Sequence, residues 1–402
     1  MIGNVLEWFD FGVYGFFASE IGKQFFSDSD PTAQKLKAFA VFAIGFIGRP
    51  IGSVVLGRVG DRIGRRALLT VSIAIMGGAT LLLGLLPTYE RIGVAAPILL
   101  VTLRFIQGFS LGGEFTGSMV YTTELSSPRL RGLVSSSTAA GTTLGFILGS
   151  ATAAIISVTM ASDDVASFGW RIPFVGSVVF CIAGWLLRRG IHETEQGETA
   201  ATLRAPLWSS LKKDVLPIVR TFGILAMINA AYYVTFTFAV DRRKSESSTF
   251  LIINTLSLIL VLACKPLGGW ISDSFGRRRL MLVLIIAGMA LVYPAIHLML
   301  TGSPAMFMLG QLLLAVPAGL ALGLQGAMLV EIFPLRTRVT SMSIAYSVSL
   351  VLSGGIAPFV STWLIDSLHR PTAPAFYIIA YGVVGLALVW PMSETNKNRL
   401  DQ

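Results

Sequence analysis

The sequence predicts an all-α integral membrane protein of twelve transmembrane helices, arranged as two pseudo-symmetric six-helix bundles. Three observations carry that expectation. Of 402 residues, 53% are hydrophobic and only 13% charged, with a mean hydropathy of +0.72. A soluble domain carries about 25% charged residues, so this chain lacks the polar surface to face water on all sides. Apolar runs of about 20 residues recur along the whole length, each long enough to cross a ~30 Å hydrocarbon core. A ten-residue motif also recurs at the same place in each half.

The predicted spans are 4–22, 38–58, 67–86, 97–118, 133–158, 170–188, 217–240, 249–271, 280–300, 306–328, 340–364 and 374–392. The first begins almost at once, near Asn4, with no cleavable signal pattern before it. A start so abrupt is compatible with a short leader missing from the numbered chain. An even number of spans puts both termini on one side. The larger share of the Lys and Arg falls on the loops of that side, which assigns it to the cytoplasm. The longest polar stretch lies midway and contains ETEQGETAATLRAP. It reads as a linker at 191–215 between an N-terminal bundle, 1–190, and a C-terminal bundle, 216–392, with a short cytoplasmic tail at 393–402.

The repeat supports this division. GRVGDRIGRR (Gly57–Arg66) follows the second predicted span and GWISDSFGRRR (Gly269–Arg279) follows the eighth. Both read G-x-x-x-D-x-x-G-R-R, as in transporters built from parallel repeats.

With its two copies at the turn after the second helix of each half, this motif resembles the loop signature of the major facilitator superfamily. RFIQGFSLGGE (Arg104–Glu114) is similar to that superfamily's Arg-x-x-Gln-Gly pattern in the fourth span. GNVLEWFDFGVYGF (Gly3–Phe16), GRPIG (Gly48–Gly52) and GWRIPF (Gly169–Phe174) resemble the metabolite:proton symporter family, whose members carry proline and betaine, citrate, 2-oxoglutarate or shikimate. EWFDFGVYGF, APILL and QGFSLGGEFTG are most similar to the osmoprotectant proline/betaine branch. Unlike one well-known type of that branch, the sequence given shows no long coiled-coil tail, so osmotic regulation through such a tail is not expected. The resemblance implies the major facilitator fold, a bacterial inner-membrane location, and proton-coupled symport of a small zwitterion by alternating access. It also implies function as a monomer, with no cofactor beyond the proton gradient.

Ionisable residues inside spans are costly unless paired, hydrated or protonated, and so mark candidate sites. Six stand out: Glu7, Asp10, Arg49, Arg104, Glu114 and Lys265. Glu7, Asp10 and Tyr14 are spaced i, i+3, i+7 and project from one face of the first helix. Two neighbouring carboxylates disfavour joint ionisation, as a site that binds and releases a proton requires, although both acids could simply pair with cations that hold the bundle. Arg49, about 18 Å along a helix from Asp61, lies within reach of them. The resemblance implies proton coupling or substrate binding for Arg104. Glu114 could be its partner or a separate proton site. Lys265, roughly 12 Å into the eighth span, could bind a substrate carboxylate or neutralise Glu7 or Asp10 from the opposite bundle. Its presence keeps an organic-acid substrate open. Asn229, Tyr232, Tyr233 and Phe236 of the seventh span, with Trp8 and Tyr14 of the first, could cage a quaternary ammonium, or serve only as packing. Gly57, Asp61, Gly64 and Arg65 in the first motif, and Asp273, Gly276 and Arg277 in the second, resemble the superfamily's cytoplasmic gate. There the aspartates pair with arginine or cap a neighbouring helix N-terminus.

Other classes fit poorly. The net charge of +9 is spread in short clusters rather than a basic stripe with interleaved aromatics, so no nucleic-acid partner is expected. No G-x-x-x-x-G-K-[ST] loop is present for an ATP-driven pump. Gly108–Gly112 reads G-x-S-x-G, but within a membrane helix and without a placed histidine, so no enzyme is expected. Cys181 and Cys264 read as packing thiols inside helices, and no metal set is expected.

Overall fold

The computed structural model describes residues 2–28, 30–63, 65–189, 211–396 and 400, leaving most of the expected linker outside the described residues. Every regular element among them is helical. The helices used below are α1 (Ile2–Phe16), α2 (Pro31–Ile63), α3 (Arg65–Leu85), α4 (Ala95–Glu124), α5 (Arg131–Thr159), α6 (Ile172–Arg189), α7 (Val215–Arg243), α8 (Thr249–Phe275), α9 (Arg277–Thr301), α10 (Pro304–Ile332), α11 (Arg338–Leu368) and α12 (Ala373–Val389). Among the described residues, eight stretches are long and apolar enough to cross a membrane, in α2, α4, α5 and α7–α11. The shorter apolar stretches Thr70–Leu85, Gly169–Ala183 and Ala373–Val389 lie in or overlap α3, α6 and α12.

Two elements differ from the continuous spans expected of them. α1 loosens at Phe17 and resumes as Ala18–Phe25. α4 is interrupted over Leu111–Gly113, where Gly113 adopts φ +91°, a conformation an L side chain resists. Two further irregularities, single π-turns at Val234–Phe238 in α7 and Val351–Gly355 in α11, widen those helices by one residue.

Close helix approaches set the positions of the site residues. A methyl on Gly108 of α4 would overlap the carbonyl oxygen of Gly45, and one on Gly52 that of Phe109, so α2 and α4 touch backbone to backbone. Between the halves, Gly132 of α5 and Gly269 of α8 meet the same way. α5 runs against α8 and α10, and α2 against α11, so the two halves share one continuous interior.

Candidate functional site

Four buried charges of the first half, Glu7, Asp10, Arg49 and Arg104, form two separate pairs, each acid with its own arginine. α1 carries Glu7 and Asp10 one turn apart. The close α2–α4 contact brings Arg49 to the first and Arg104 to the second. Glu7 forms an ion pair with Arg49, both almost completely buried. Asp10 Oδ2 lies 2.9 Å from Arg104 Nη1, which also donates to Gln107 Oε1 at 2.9 Å. Gln107 Nε2 donates to Asp10 Oδ1 at 3.1 Å and to Thr80 Oγ1 at 2.8 Å. The guanidinium of Arg104 lies between the rings of Phe11 and Tyr14, at 4.4 and 4.3 Å. Those faces supply the cation–π attraction that a buried guanidinium with unpaired nitrogens needs. Tyr14 donates to the carbonyl of Ala38 at 3.1 Å.

The structure narrows three sets of alternatives that the sequence leaves open. The partner of Arg104 is Asp10, not Glu114, which lies ten residues further along α4, about 15 Å on a regular helix. Lys265 neutralises neither Glu7 nor Asp10; its Nζ crosses to the other half and donates to Ala139 O at 2.5 Å and Thr142 Oγ1 at 3.1 Å. The two carboxylates of α1 each pair with a cation, as one alternative had it, and the two cations stand on different helices.

Glu7 and Arg49 face an aromatic layer between the halves. Arg49 lies 5.2 Å from the Trp8 ring and 6.0 Å from Phe46. Tyr233 of α7 packs on Phe46 at 5.6 Å, and Tyr232 on Phe146 at 5.3 Å. Phe236 packs on Tyr232 at 5.0 Å. Trp8 meets Phe115, which meets Tyr346 of α11 at 5.2 Å. Tyr233 and Tyr346 both lie within electrostatic reach of Glu7 and Arg49. Trp8 Nε1, Arg49 Nη1, Asn229 Nδ2 and Tyr233 Oη are all buried without a hydrogen-bond partner. Native interiors seldom leave so many donors open together.

At each end, contacts across the halves close the interior. At the first end, Asp241 of α7 accepts from Ser19 N and Oγ, at 3.3 and 2.8 Å, and pairs with Lys35 at 3.0 Å and Lys244 at 3.4 Å. Lys244 also bridges to Glu20 and to the carbonyl of Phe16. At the second end, Asp273 Oδ1 accepts from Gly132 N at 2.8 Å and Oδ2 from Leu133 N at 3.0 Å, capping α5 across the interface. Gly276, at φ +105°, ends α8 and sends Arg277 back to Asp273, at 2.8 Å, and to Glu331. Arg338 with Glu124, and Thr116 with Ser343, complete this end. The side chains of Gly57, Asp61, Gly64 and Arg65 lie outside the described residues.

Sequence reasoning missed Asp241, Lys35, Lys244, Tyr346 and a polar chain through Gln311. Gln311 Nε2 donates to the carbonyl of Thr235, within the π-turn of α7, and to Asn254, which donates to Ser150 at 3.0 Å. Gln311 and Asn254 were available as polar residues inside apolar spans. Tyr346 sat in a Ser-rich run that gave no aromatic pattern, and Asp241 lay at a predicted span boundary, where a charge draws no notice.

The family model described as "Sugar (and other) transporter" matches residues 1–203, and that described as "Major Facilitator Superfamily" matches residues 244–401. The chain is 35% identical to the proline/betaine transporter of Salmonella typhimurium, covering 98% of this chain and 82% of that one. It is 34% identical to the glycine betaine/proline/ectoine/pipecolic acid transporter OusA of Dickeya dadantii, with the same coverage. Identity to the inner membrane metabolite transport protein YhjE of Escherichia coli is 35%, covering 97% and 91%. Among solved structures, the proton:xylose symporter XylE bound to 6-bromo-6-deoxy-D-glucose superposes with a TM-score of 0.75 at 17% identity, covering 100% and 96%. The partially occluded inward-open form of XylE from E. coli superposes equally well, at 17% identity, covering 99% and 97%. The chain therefore belongs to the major facilitator superfamily, is a membrane transporter rather than an enzyme, and groups with relatives named proline/betaine transporters.

Proposed function

We infer that this chain is a secondary active transporter that carries a small zwitterion of the proline or glycine betaine kind together with protons. The names of its relatives support the substrate class, and the proton symport of its structural neighbours supports the coupling. In this reading twelve helices span a bacterial inner membrane with both termini in the cytoplasm. Residues 1–190 and 216–392 form the rocking halves, and the carrier works as a monomer on the proton gradient without a cofactor.

The single observation that carries the reading is the pair of separate acid–arginine contacts deep in the first half. A carrier that couples two ligands needs two exchangeable sites. Glu7–Arg49 borders the layer between the halves and is suited to substrate. Asp10–Arg104, enclosed by Gln107, Thr80, Phe11 and Tyr14, is suited to the proton, which needs no cavity. The Asp241 cluster then serves as the outer gate and the Asp273 cap as the inner one.

Each charge moved inward at 100 mV contributes about 2.3 kcal/mol, enough for roughly fiftyfold accumulation. The test is uptake of labelled glycine betaine, proline and citrate into proteoliposomes under an imposed inward proton gradient. Betaine or proline should accumulate and be released by a protonophore. A second reading, proton symport of an organic acid, is favoured by Lys265, a buried cation with no carboxylate beside it among the described residues. Accumulation of citrate alone would select it.

A further inference from the structure

Glu7 and Arg49 are both buried at the boundary between the halves, next to an aromatic layer, and they satisfy each other incompletely. Arg49 Nη1 has no hydrogen-bond partner, and the Glu7 oxygens have none beyond the contact with Arg49. The guanidinium rests 5.2 Å from the Trp8 ring, the place an alkylammonium would seek. Seen from the aromatic layer, the pair presents one carboxylate and one delocalised cation, the same two charges that a small amino-acid zwitterion carries. Tyr346, reaching this layer through Phe115 from the opposite half, and Tyr233, with its unpaired hydroxyl, close the space around them.

We propose that the Glu7–Arg49 pair is a built-in stand-in for the substrate, and that a zwitterion binds by inserting into it. The substrate carboxylate takes the guanidinium of Arg49, and its ammonium takes Glu7 and the face of Trp8. This rests on the zwitterion reading above and deepens it by assigning each end of the ligand. Inserting between the two charges costs less than stripping either one alone, because each leaves a partner of equal charge for another. A ligand with only one of the two charges breaks the pair and leaves Glu7 or Arg49 buried and unmatched, which is strongly unfavourable. Selection for a zwitterion thus follows from the pair itself, with the aromatic faces adding preference for a bulky ammonium. Trp8 and Tyr346 are the specificity-determining rings in this scheme.

The probe is glycine betaine against 3,3-dimethylbutyrate, which has the same shape with carbon in place of the ammonium nitrogen and so lacks the positive charge. Equilibrium binding is measured on purified full-length protein with no proton gradient, so that coupling does not enter. The wild type should bind betaine at least tenfold tighter than 3,3-dimethylbutyrate. Glu7→Gln should shrink that preference at least fivefold, chiefly by improving 3,3-dimethylbutyrate, since Arg49 is then free. Arg49→Gln should weaken both ligands at least tenfold. Equal binding of the two ligands by the wild type overturns the proposal without recourse to any variant. A Glu7→Gln protein that keeps the full betaine preference also overturns it, while leaving zwitterion transport standing. A wild type that binds neither betaine nor proline removes the zwitterion reading and this proposal together.

Discussion

Lys265 of α8 donates to the carbonyl oxygen of Ala139 in α5, 2.5 Å away across the interface between the halves. Its ammonium is completely buried, and a carbonyl and the Thr142 hydroxyl stand where a carboxylate would be the usual partner. In the zwitterion reading Lys265 is therefore a tether between the halves rather than a ligand.

Replacing Lys265 with Met should then leave betaine affinity within about twofold. The thermal midpoint should not fall, because a similar-sized apolar side chain removes a buried charge that costs several kcal/mol to hold. Binding and thermal unfolding on the same sample check this. A tenfold loss of affinity would place Lys265 in the site and favour an organic acid.

Asp10→Asn should abolish uphill uptake while keeping substrate exchange within about threefold of wild type. Asn resembles the protonated acid, a state that the proposed cycle itself visits, and its one amide oxygen can still accept from Arg104. Accumulation and counterflow, measured side by side in proteoliposomes, separate the two effects. Full accumulation by this variant would remove Asp10 from the coupling.

The two ends should respond oppositely to loss of charge. Asp241→Asn weakens contacts to Ser19, Lys35 and Lys244, and Asp273→Asn weakens the cap on α5. A hydrogen bond to a charged group contributes about 1.5–3 kcal/mol, so each change should shift the balance of outward- and inward-open forms by tenfold or more. A cysteine introduced at Thr237, packed against Gly15 beside the first end, reports it. Labelling from outside should rise with Asp241→Asn and fall with Asp273→Asn. Shifts in the same direction would mean that the clusters stabilise the fold without gating it.

Gly113→Ala should cost about 1–2 kcal/mol, since Gly113 sits at φ +91° where a Cβ is strained. No neighbour crowds a Cβ there, the nearest atom being Ser343 Oγ at 3.8 Å, so backbone strain is the whole effect. A lowered thermal midpoint with Gly113→Ala, and little change with Gly117→Ala, whose added methyl meets open space on a regular helix, would separate conformation from packing.

The sequence made the superfamily fold legible because apolar length and the repeated Asp61 and Asp273 motifs are local signals. The same holds for the buried ions: Glu7, Asp10, Arg49, Arg104 and Lys265 were conspicuous as charges in apolar runs. Their pairing was not legible, because it depends on which helices touch, and that is decided by glycines such as Gly52 and Gly108 acting across the bundle. Arg104 could be matched with Glu114 along one helix but not with Asp10 on another. The interruption of α4 was equally hidden, since three residues of irregular backbone leave a hydropathy profile unchanged. Asp241 and Tyr346 gained their roles only from the opposite half.

The π-turn of α7 carries one residue more than a regular helix would hold in the same length. Each residue of an α-helix advances the direction of its side chains by about 100°. Deleting a single residue within 234–238 would restore an ordinary ladder and leave everything after it on the same face, whereas a deletion in the regular turns of α7 would swing it by that angle. Only in the second case would Asp241 and Lys244 turn away from Ser19, Lys35 and Glu20, although every one of those residues would still be present. Among relatives of this chain, a one-residue gap at this point is therefore a smaller change than the same gap elsewhere in α7. Positions on either side of it should be compared by the face they present, not by their order in the chain.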